Sequence, residues 1–242
     1  MDGILRCSRY AFGPNRLHYC GPDRNSQLYA NIKEGAVDPD LTRILSQFDT
    51  MYPYLVHIAA ANKIKDPLDD RVVEAYWIGN ALLDRVDKQL FYRHLVEGLN
   101  LKKKLGSSFA LVEEKIGQGA VPHHSFHVLD IWQRTGHIER EHTLESMDEC
   151  RVSWGVVESV SGPFVSVFRD PLLYIDKKLS LGLPRPVRYA RKLESDYEIE
   201  QLKQGDIVSI HWGVICERIT PKQATALKKY TVRHIALANL TL

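Results

Sequence analysis

The sequence predicts an α+β protein in which a mainly helical N-terminal domain precedes a small OB-like β-barrel with a C-terminal helix. Apolar residues recur at helical spacing between residues 68 and 95. After residue 150, β-branched runs between glycine and proline turns replace that pattern. At 242 residues and 44% hydrophobic, the chain is long enough for two domains. We place their boundary in a charged segment, which gives domains of residues 1–145 and 146–242.

Helix signals dominate the first domain. Pro67 followed by Leu-Asp-Asp gives a favourable acidic first turn to the strongest predicted helix. The start of the chain, with Gly13-Pro14 and Gly21-Pro22, is predicted to be rich in loops. The helices are predicted at residues 23–33, 40–48, 53–63 and 68–83.

Strand signals dominate the second domain. Residues 164–168 alternate with period two, and a second strand is predicted over residues 207–212. Thr220-Pro-Lys-Gln223 is a capping box with proline at the first helical position, so a helix is predicted over 221–230. Several short strands closed by one terminal helix favour a small barrel over a parallel sheet.

Composition excludes several classes of protein. The net charge of +2 gives little support to nucleic-acid binding. No apolar run reaches the roughly 18 residues of a membrane span, and the N-terminus has no secretory pattern, so we expect a soluble cytoplasmic protein. The cysteines are far apart, without a C-x-x-C pair, and are expected to be reduced. They are Cys7, Cys20, Cys150 and Cys216.

The first candidate metal site pairs a cysteine with a distant histidine. Cys150 is predicted to lie on a valine-rich strand that includes Gly155, and His211 lies on a second predicted strand, between Gly205-Asp206 and Gly213. A thiolate and a neutral imidazole are both good ligands for ferrous iron. The alternative is an inert cysteine and an ordinary structural histidine.

Residues 150–230 resemble the HypC/HupF-type chaperone of [NiFe]-hydrogenase maturation. The matching order is Cys150-x-x-x-x-Gly155, two strands, Gly205-Asp206-x-Val-x-x-His211-x-Gly213 and a helix. The resemblance implies that Cys150 and His211 hold iron with cyanide and carbon monoxide ligands. It also implies two partners, an iron–sulfur scaffold protein and the hydrogenase large subunit.

The chain departs from that family pattern in three ways. Cys150 is internal, whereas the family's cysteine follows the initiator methionine, so no free amine lies beside it. Trp154 replaces the usual proline before the glycine, which changes the predicted turn. Residues 169–200 are longer than the small family members need and form an insertion.

A second candidate metal site comprises His123, His124 and His127, with Cys7 or Cys20 as further ligands. In a helix, His123 and His127 share a face; in a strand they lie too far apart to bind one ion. The run Phe126-His-Val-Leu129 favours the strand. Hydrogen-bonded structural histidines and a packed N-terminal arm are the alternatives.

Three functions therefore follow from the sequence. The first is a hydrogenase-maturation accessory protein that holds or delivers iron through Cys150 and His211. The second is a metal-dependent oxidoreductase or lyase built on the histidine cluster, and the third is an interaction module without metal. Signatures in the first domain, including Tyr19-Cys-Gly-Pro-Asp23 and Ala75-Tyr-Trp-Ile-Gly-Asn80, resemble an uncharacterised prokaryotic family of similar length.

Overall fold

The computed structural model of the chain describes residues 2–132, 143–191 and 201–242. Within those ranges it has the predicted α+β architecture, with a helical N-terminal part, an antiparallel sheet and a C-terminal helix. The segments 133–142 and 192–200, which include part of the predicted insertion, lie outside the described residues. Among the helices of the described ranges, none is long and apolar enough to cross a lipid bilayer.

Short helices form the first half. Two of them, α6 (Lys88–Arg93) and α9 (His124–Phe126), each continue as a π-helical turn, over His94–Gly98 and His127–Trp132. Short 3₁₀ turns lie at Leu83–Arg85 and Gly106–Ser108. The helices are α1 (Gly3–Asn15), α2 (Asn25–Glu34), α3 (Pro39–Ser46), α4 (Met51–Ala61), α5 (Asp70–Trp77), α6 (Lys88–Arg93), α7 (Leu101–Leu105), α8 (Phe109–Gly117) and α9 (His124–Phe126).

Helix α1 replaces the predicted N-terminal loop. The side chain of Asp2 caps it by accepting hydrogen bonds from the N–H groups of Ile4 and Leu5, at 2.8 and 3.2 Å. Nearly every residue of α1 is buried. Burial among other helices therefore overrides the weak helix propensity of its glycines and proline, and this is why the local sequence suggested a loop.

The second half begins with helix α10 (Leu144–Cys150) and ends with α11 (Pro221–Ala238). The Thr220–Gln223 capping box is present, and α11 runs eight residues beyond the predicted end at Tyr230. The strands between these helices are β1 (Ser153–Ser161), β2 (Phe164–Arg169), β3 (Leu172–Ile175), β4 (Lys178–Leu181), β5 (Arg185–Ala190), β6 (Ile207–His211) and β7 (Val214–Ile219).

Five strands form one antiparallel sheet in the order β5-β2-β1-β6-β7, and β3 and β4 form a separate hairpin. The main hydrophobic core contains buried residues of α1, α4 and α5 together with residues of β6, β7 and α11. The helices and the sheet thus share one core, which continues across the predicted boundary at residue 145.

A buried polar cluster joins α1 to the last two strands. Glu217 on β7 accepts a hydrogen bond from the Tyr10 hydroxyl at 2.6 Å and one from Arg6 Nε at 3.2 Å. Arg6 also pairs with Asp70 at 2.8 Å, and Ser209 on β6 lies 2.8 Å from the Tyr10 hydroxyl. These bonds satisfy a carboxylate that is only 1% exposed, and they fix the position of α1 on the sheet.

A second buried cluster fixes the end of α10. Asp148 accepts hydrogen bonds from Arg151 Nε, Arg169 Nη1 and the backbone N–H of Leu172, at 2.8, 2.9 and 2.9 Å. Arg151 and Arg169 are 0% and 4% exposed. One carboxylate therefore pairs with two buried guanidinium groups, with Glu149 3.7 Å from Arg169 as a further anion, and ties the segment around Cys150 to β2 and β3.

We expect Asp148→Asn to lower the free energy of unfolding by about 3 to 5 kcal/mol, because it leaves buried guanidinium groups without their main counterion. Urea denaturation measures this change. The matched control is Asp40→Asn, which removes an exposed Asp40–Arg43 pair at 3.3 Å and should change stability by less than about 1 kcal/mol. Equal effects of the two variants would contradict a stabilising role for the Asp148 cluster.

Candidate metal centre

Three side chains from three elements converge beside a small cavity. They are His124 in the first turn of α9, Cys150 at the end of α10 and His211 at the end of β6. One ligand atom from each lies within 4.8 Å of the others, and Cys150 Sγ is 3.9 Å from His124 Nε2. The cavity has a volume of about 70 Å³, and its lining is mostly apolar and aromatic. This geometry is compact enough for a single metal ion to draw the three ligands together.

The orientation of His211 depends on a proline in α1. In an α-helix the carbonyl of residue 10 accepts a hydrogen bond from the N–H of residue 14, but Pro14 has no N–H. The Tyr10 carbonyl accepts instead from His211 Nδ1, at 2.8 Å. Since a carbonyl only accepts, the ring proton is on Nδ1, and Nε2 has a free lone pair.

The other nitrogen of His211 is the ligand atom that remains. Nε2 is buried and meets no group of the described chain in hydrogen-bonding geometry, although the Cys150 carbonyl is close enough to raise the pKa of the ring slightly. His211 is 1% exposed and lines the cavity. A buried nitrogen lone pair without a donor, next to a thiol and a second imidazole, is consistent with a metal ligand.

A close approach and a tight turn hold His211 in place. A β-carbon on Gly13 would lie 2.5 Å from the His211 carbonyl oxygen, so only glycine allows α1 to pass this close to β6. Trp212 and Gly213 form a two-residue turn with φ values of 50° and 68°, which favours glycine at one of the two positions. The N–H of Trp212 donates to the carbonyl of Glu149 at 2.9 Å, which joins this turn to the residue before Cys150.

His124 is held by hydrogen bonds at both ring nitrogens. Its Nε2 lies 2.9 Å from the Cys150 carbonyl, and its Nδ1 lies 3.1 Å from the hydroxyl of Tyr76. The carbonyl requires the proton on Nε2, so Nδ1 accepts from the tyrosine. Metal binding at Nε2 would move the proton to Nδ1, where the Tyr76 oxygen can accept it. The Tyr76 hydroxyl thus supports either tautomer of His124.

The electrostatic setting keeps all three ligands neutral. Burial lowers the pKa of His211 to about 4, and burial together with the neighbouring His211 lowers that of His124 well below its usual range. Burial is also the main cause of the raised pKa of Cys150, which is partly exposed. The imidazoles are therefore ready to bind a metal at physiological pH, whereas the thiol loses its proton when the metal binds.

Cys150 lies at a helix terminus and not on the strand that the sequence suggested. Thr143 and Ser146 form a capping box that starts helix α10, and the helix continues through Cys150. Strand β1 begins only at Ser153. The structure still brings the predicted pair, Cys150 and His211, together, and it adds His124 from the second predicted cluster. Metal binding by these residues stays a prediction.

The other residues of the second cluster lie apart. His123 caps α9 by accepting from the N–H of Ser125 at 3.1 Å, so the strand predicted for this segment is wrong. The Ser125 hydroxyl lies 2.7 Å from Nδ1 of both His123 and His234, which makes a buried chain of three side chains. His127 lines the cavity and packs edge-on against Tyr54.

The two N-terminal cysteines also have different surroundings. The Cys7 thiol is fully buried, 3.4 Å from the sulfur of Met51, and Cys7 is not among the cavity-lining residues. Cys20 lines the cavity with Cys150 and is partly exposed. The two cysteines therefore have separate environments, and only Cys20 lies near the candidate metal centre.

The glycines of the predicted motif have different roles. Gly155 lies within β1 and not at a turn. Glycine is needed there because a β-carbon would collide with the side chain of Val167. Gly205 and Asp206 precede β6, and the Asp206 carboxylate accepts from the N–H of Lys203 at 2.9 Å. Gly213 completes the turn beside His211. All of these support backbone geometry, and none offers a ligand.

Sequence reasoning missed Tyr10, Pro14 and Tyr76. The signal for the first two is a proline four residues after Tyr10, which predicts a free carbonyl if the segment is helical. The loop prediction for the N-terminus hid this signal. Tyr76 lies in a helix that the sequence did predict, but its contact with His124 joins residues 48 positions apart.

We expect Pro14→Ala to shift the tautomer of His211. The new N–H at residue 14 competes for the Tyr10 carbonyl, and a hydrogen bond of about 1 kcal/mol corresponds to a roughly fivefold change in tautomer ratio toward the Nε2–H form. Side-chain ¹⁵N chemical shifts of the histidines measure this ratio. The control is Pro39→Ala at the start of α3, which should leave the His211 tautomer unchanged. An unchanged Nδ1–H form in Pro14→Ala would contradict the role of Pro14.

Comparisons with known proteins give one match. A family model matches residues 1–242 and is described as a family of unknown function (DUF6390). The match covers the helices and the sheet together, so His124, Cys150 and His211 all lie within one matched unit. Neither the curated proteins nor the solved structures contain a match to the chain. By the match over its whole length, this chain belongs to the family of unknown function DUF6390.

Proposed function

We propose that this protein is a metal carrier that holds and delivers an iron centre during [NiFe]-hydrogenase maturation. Its ligands are Cys150, His211 and His124. The observation that carries the proposal is the approach of these three ligand atoms to within 4.8 Å of one another beside a cavity. A buried imidazole of fixed tautomer and a partly exposed thiol suit a site that both binds and releases a metal.

The donor set supports iron or another borderline transition metal. One thiolate with two imidazoles is softer than the carboxylate and carbonyl sets that favour magnesium or calcium. Trp77 packs against both imidazoles, with ring centroids 4.5 Å from His124 and 5.3 Å from His211. This apolar wall keeps competing water ligands away from one side of the centre.

His124, the third proposed ligand, compensates for the main departure from the HypC/HupF-type pattern. That family's cysteine lies beside the start of the chain, whereas Cys150 is internal and has no free amine next to it. His124 offers a nitrogen ligand instead, with Nε2 3.9 Å from the sulfur. Three protein ligands leave three positions of a six-coordinate iron for cyanide and carbon monoxide.

An OB-like barrel is part of the same proposal, and contact between the edge strands β5 and β7 supports curling of the sheet.

The partners are an iron–sulfur scaffold protein that supplies the centre and the hydrogenase large subunit that receives it. The enzyme alternative has less support, because its ligands His123, His124 and His127 do not face one site. His123 stacks on Tyr230, and only the other two histidines line the cavity. The interaction module without metal is the outcome if the site binds none.

We expect the purified chain to bind one Fe²⁺ per molecule under anaerobic, reducing conditions. Cys150→Ala and His211→Ala should each weaken binding by more than the roughly 100-fold that follows loss of a hydrogen-bond partner behind a ligand. His124→Ala should weaken binding similarly. Competition with a chromophoric chelator measures these affinities.

Two variants control for general effects of losing a cysteine or a histidine. Cys216→Ala removes a buried thiol on β7, and His18→Ala removes an exposed imidazole. Neither should change the affinity for Fe²⁺ by more than about twofold. Failure of the wild type to bind Fe²⁺, or equal binding by wild type and Cys150→Ala, would contradict the proposed site.

We expect the cargo to be visible by infrared spectroscopy. The protein, co-expressed anaerobically with hydrogenase maturation proteins and then purified, should show cyanide and carbonyl stretching bands. Cys150→Ala should lose these bands, and Cys216→Ala should keep them. Bands that persist in Cys150→Ala, or bands absent from a wild type that does bind Fe²⁺, would contradict the iron–cyanide cargo while leaving the metal site itself intact.

A further inference from the structure

We propose that Cys20 is a fourth protein ligand of this centre and that the loop which carries it, residues 16–24, closes the site. This inference rests on the proposed metal site and extends it from one thiolate to two. The resulting set is two cysteines and two histidines, contributed by α9, α10, β6 and the loop between α1 and α2. This four-ligand form holds the bare ion. When cyanide and carbon monoxide occupy three positions of a six-coordinate iron, Cys20 is displaced and the other three residues hold the centre.

The position of Cys20 is the first support. Cys20 lines the same cavity of about 70 Å³ as Cys150, His124 and His211. The Cys20 sulfur lies outside the compact group that the ligand atoms of His124, Cys150 and His211 form, so it would bind the ion only after the loop moves toward the cavity.

The unpartnered nitrogen of His211 is the second and independent support. His211 Nε2 is buried at the cavity wall without a group in hydrogen-bonding geometry among the described residues, as expected of a ligand atom. A thiol alone would say little about a metal. Two thiols and two imidazoles around one cavity form the Cys₂His₂ set that tetrahedral metal sites use.

Contacts of Asn15 and Tyr19 hold the loop beside the cavity. It is neither helix nor strand, and Asn15 holds it by donating to the carbonyls of Cys20 and Pro22 at 2.9 and 2.6 Å. Tyr19 stacks on Trp212 with ring centroids 4.2 Å apart. The loop therefore rests on the same turn that follows His211, and these contacts hold Cys20 beside the cavity.

The chemistry of closure is a ligand exchange without oxidation. The Cys20 thiol, whose pKa burial raises to about 12, would give its proton to solvent, its sulfur would bind the metal, and a water ligand would leave that position. Release of the metal reverses the step, and a partner can first displace the partly exposed Cys20 while three ligands keep hold. Metal would therefore enter and leave on the Cys20 side of the cavity.

The test is a Co²⁺ titration of the full chain under anaerobic, reducing conditions. The wild type should bind one Co²⁺ with a tetrahedral d–d spectrum and a thiolate-to-metal charge-transfer band of two thiolates. Cys20→Ser should still bind one Co²⁺, with that band reduced by about half and the affinity lowered about 10- to 100-fold. Cys20→His should recover most of the affinity while the band stays at the one-thiolate level.

Cys7→Ser is the matched control, because Cys7 lies on the preceding helix and does not line the cavity. Its band should equal that of the wild type, and circular dichroism confirms that each variant is folded. A full-strength band in folded Cys20→Ser would overturn the fourth ligand and leave the three-ligand site standing. A wild type that binds no Co²⁺ would overturn both.

Discussion

The missing N–H of Pro14 is the constraint on which the candidate centre depends. It leaves the Tyr10 carbonyl without its helical partner, and His211 Nδ1 fills that place at 2.8 Å. The hydroxyl of the same tyrosine donates to Glu217 at 2.6 Å on the neighbouring strand. One residue of α1 therefore fixes both the ring of His211 and the helix that orients it, and Gly13 provides the space for this approach.

The two imidazoles and the two thiols of the cavity differ in a way that matters for a carrier. The imidazoles are buried, bonded to fixed groups and neutral, so neither would lose a net proton to a metal, and His124 would only move its proton from Nε2 to Nδ1. The thiols are partly exposed and must lose protons. In the proposed carrier, the two imidazoles would thus select the metal and its coordination geometry. The two thiols would control how fast the metal is exchanged.

Local patterns predicted those parts of the fold that local chemistry determines. The capping box of α11 and the alternation in β2 are examples, because both depend on residues within a few positions. The pair of Cys150 and His211 could be selected because each lies in a distinctive motif. Helix α1 could not be predicted in this way, since burial stabilises it, and neither could the choice of His124 over His123. That choice depends on which side of α9 meets Tyr76 and the end of α10.

The distribution of ligands explains why the two halves of the chain act as one unit. The second half contributes Cys150 and His211, whereas a tyrosine of the helical half orients each imidazole. Tyr10 supplies the acceptor for His211, and Tyr76 supplies the partner for His124. The second half alone would therefore have two ligands, one of them with an unfixed tautomer. In the proposed carrier, the helical half is therefore part of the site, because it would supply His124 as a ligand and the acceptor that fixes the tautomer of His211.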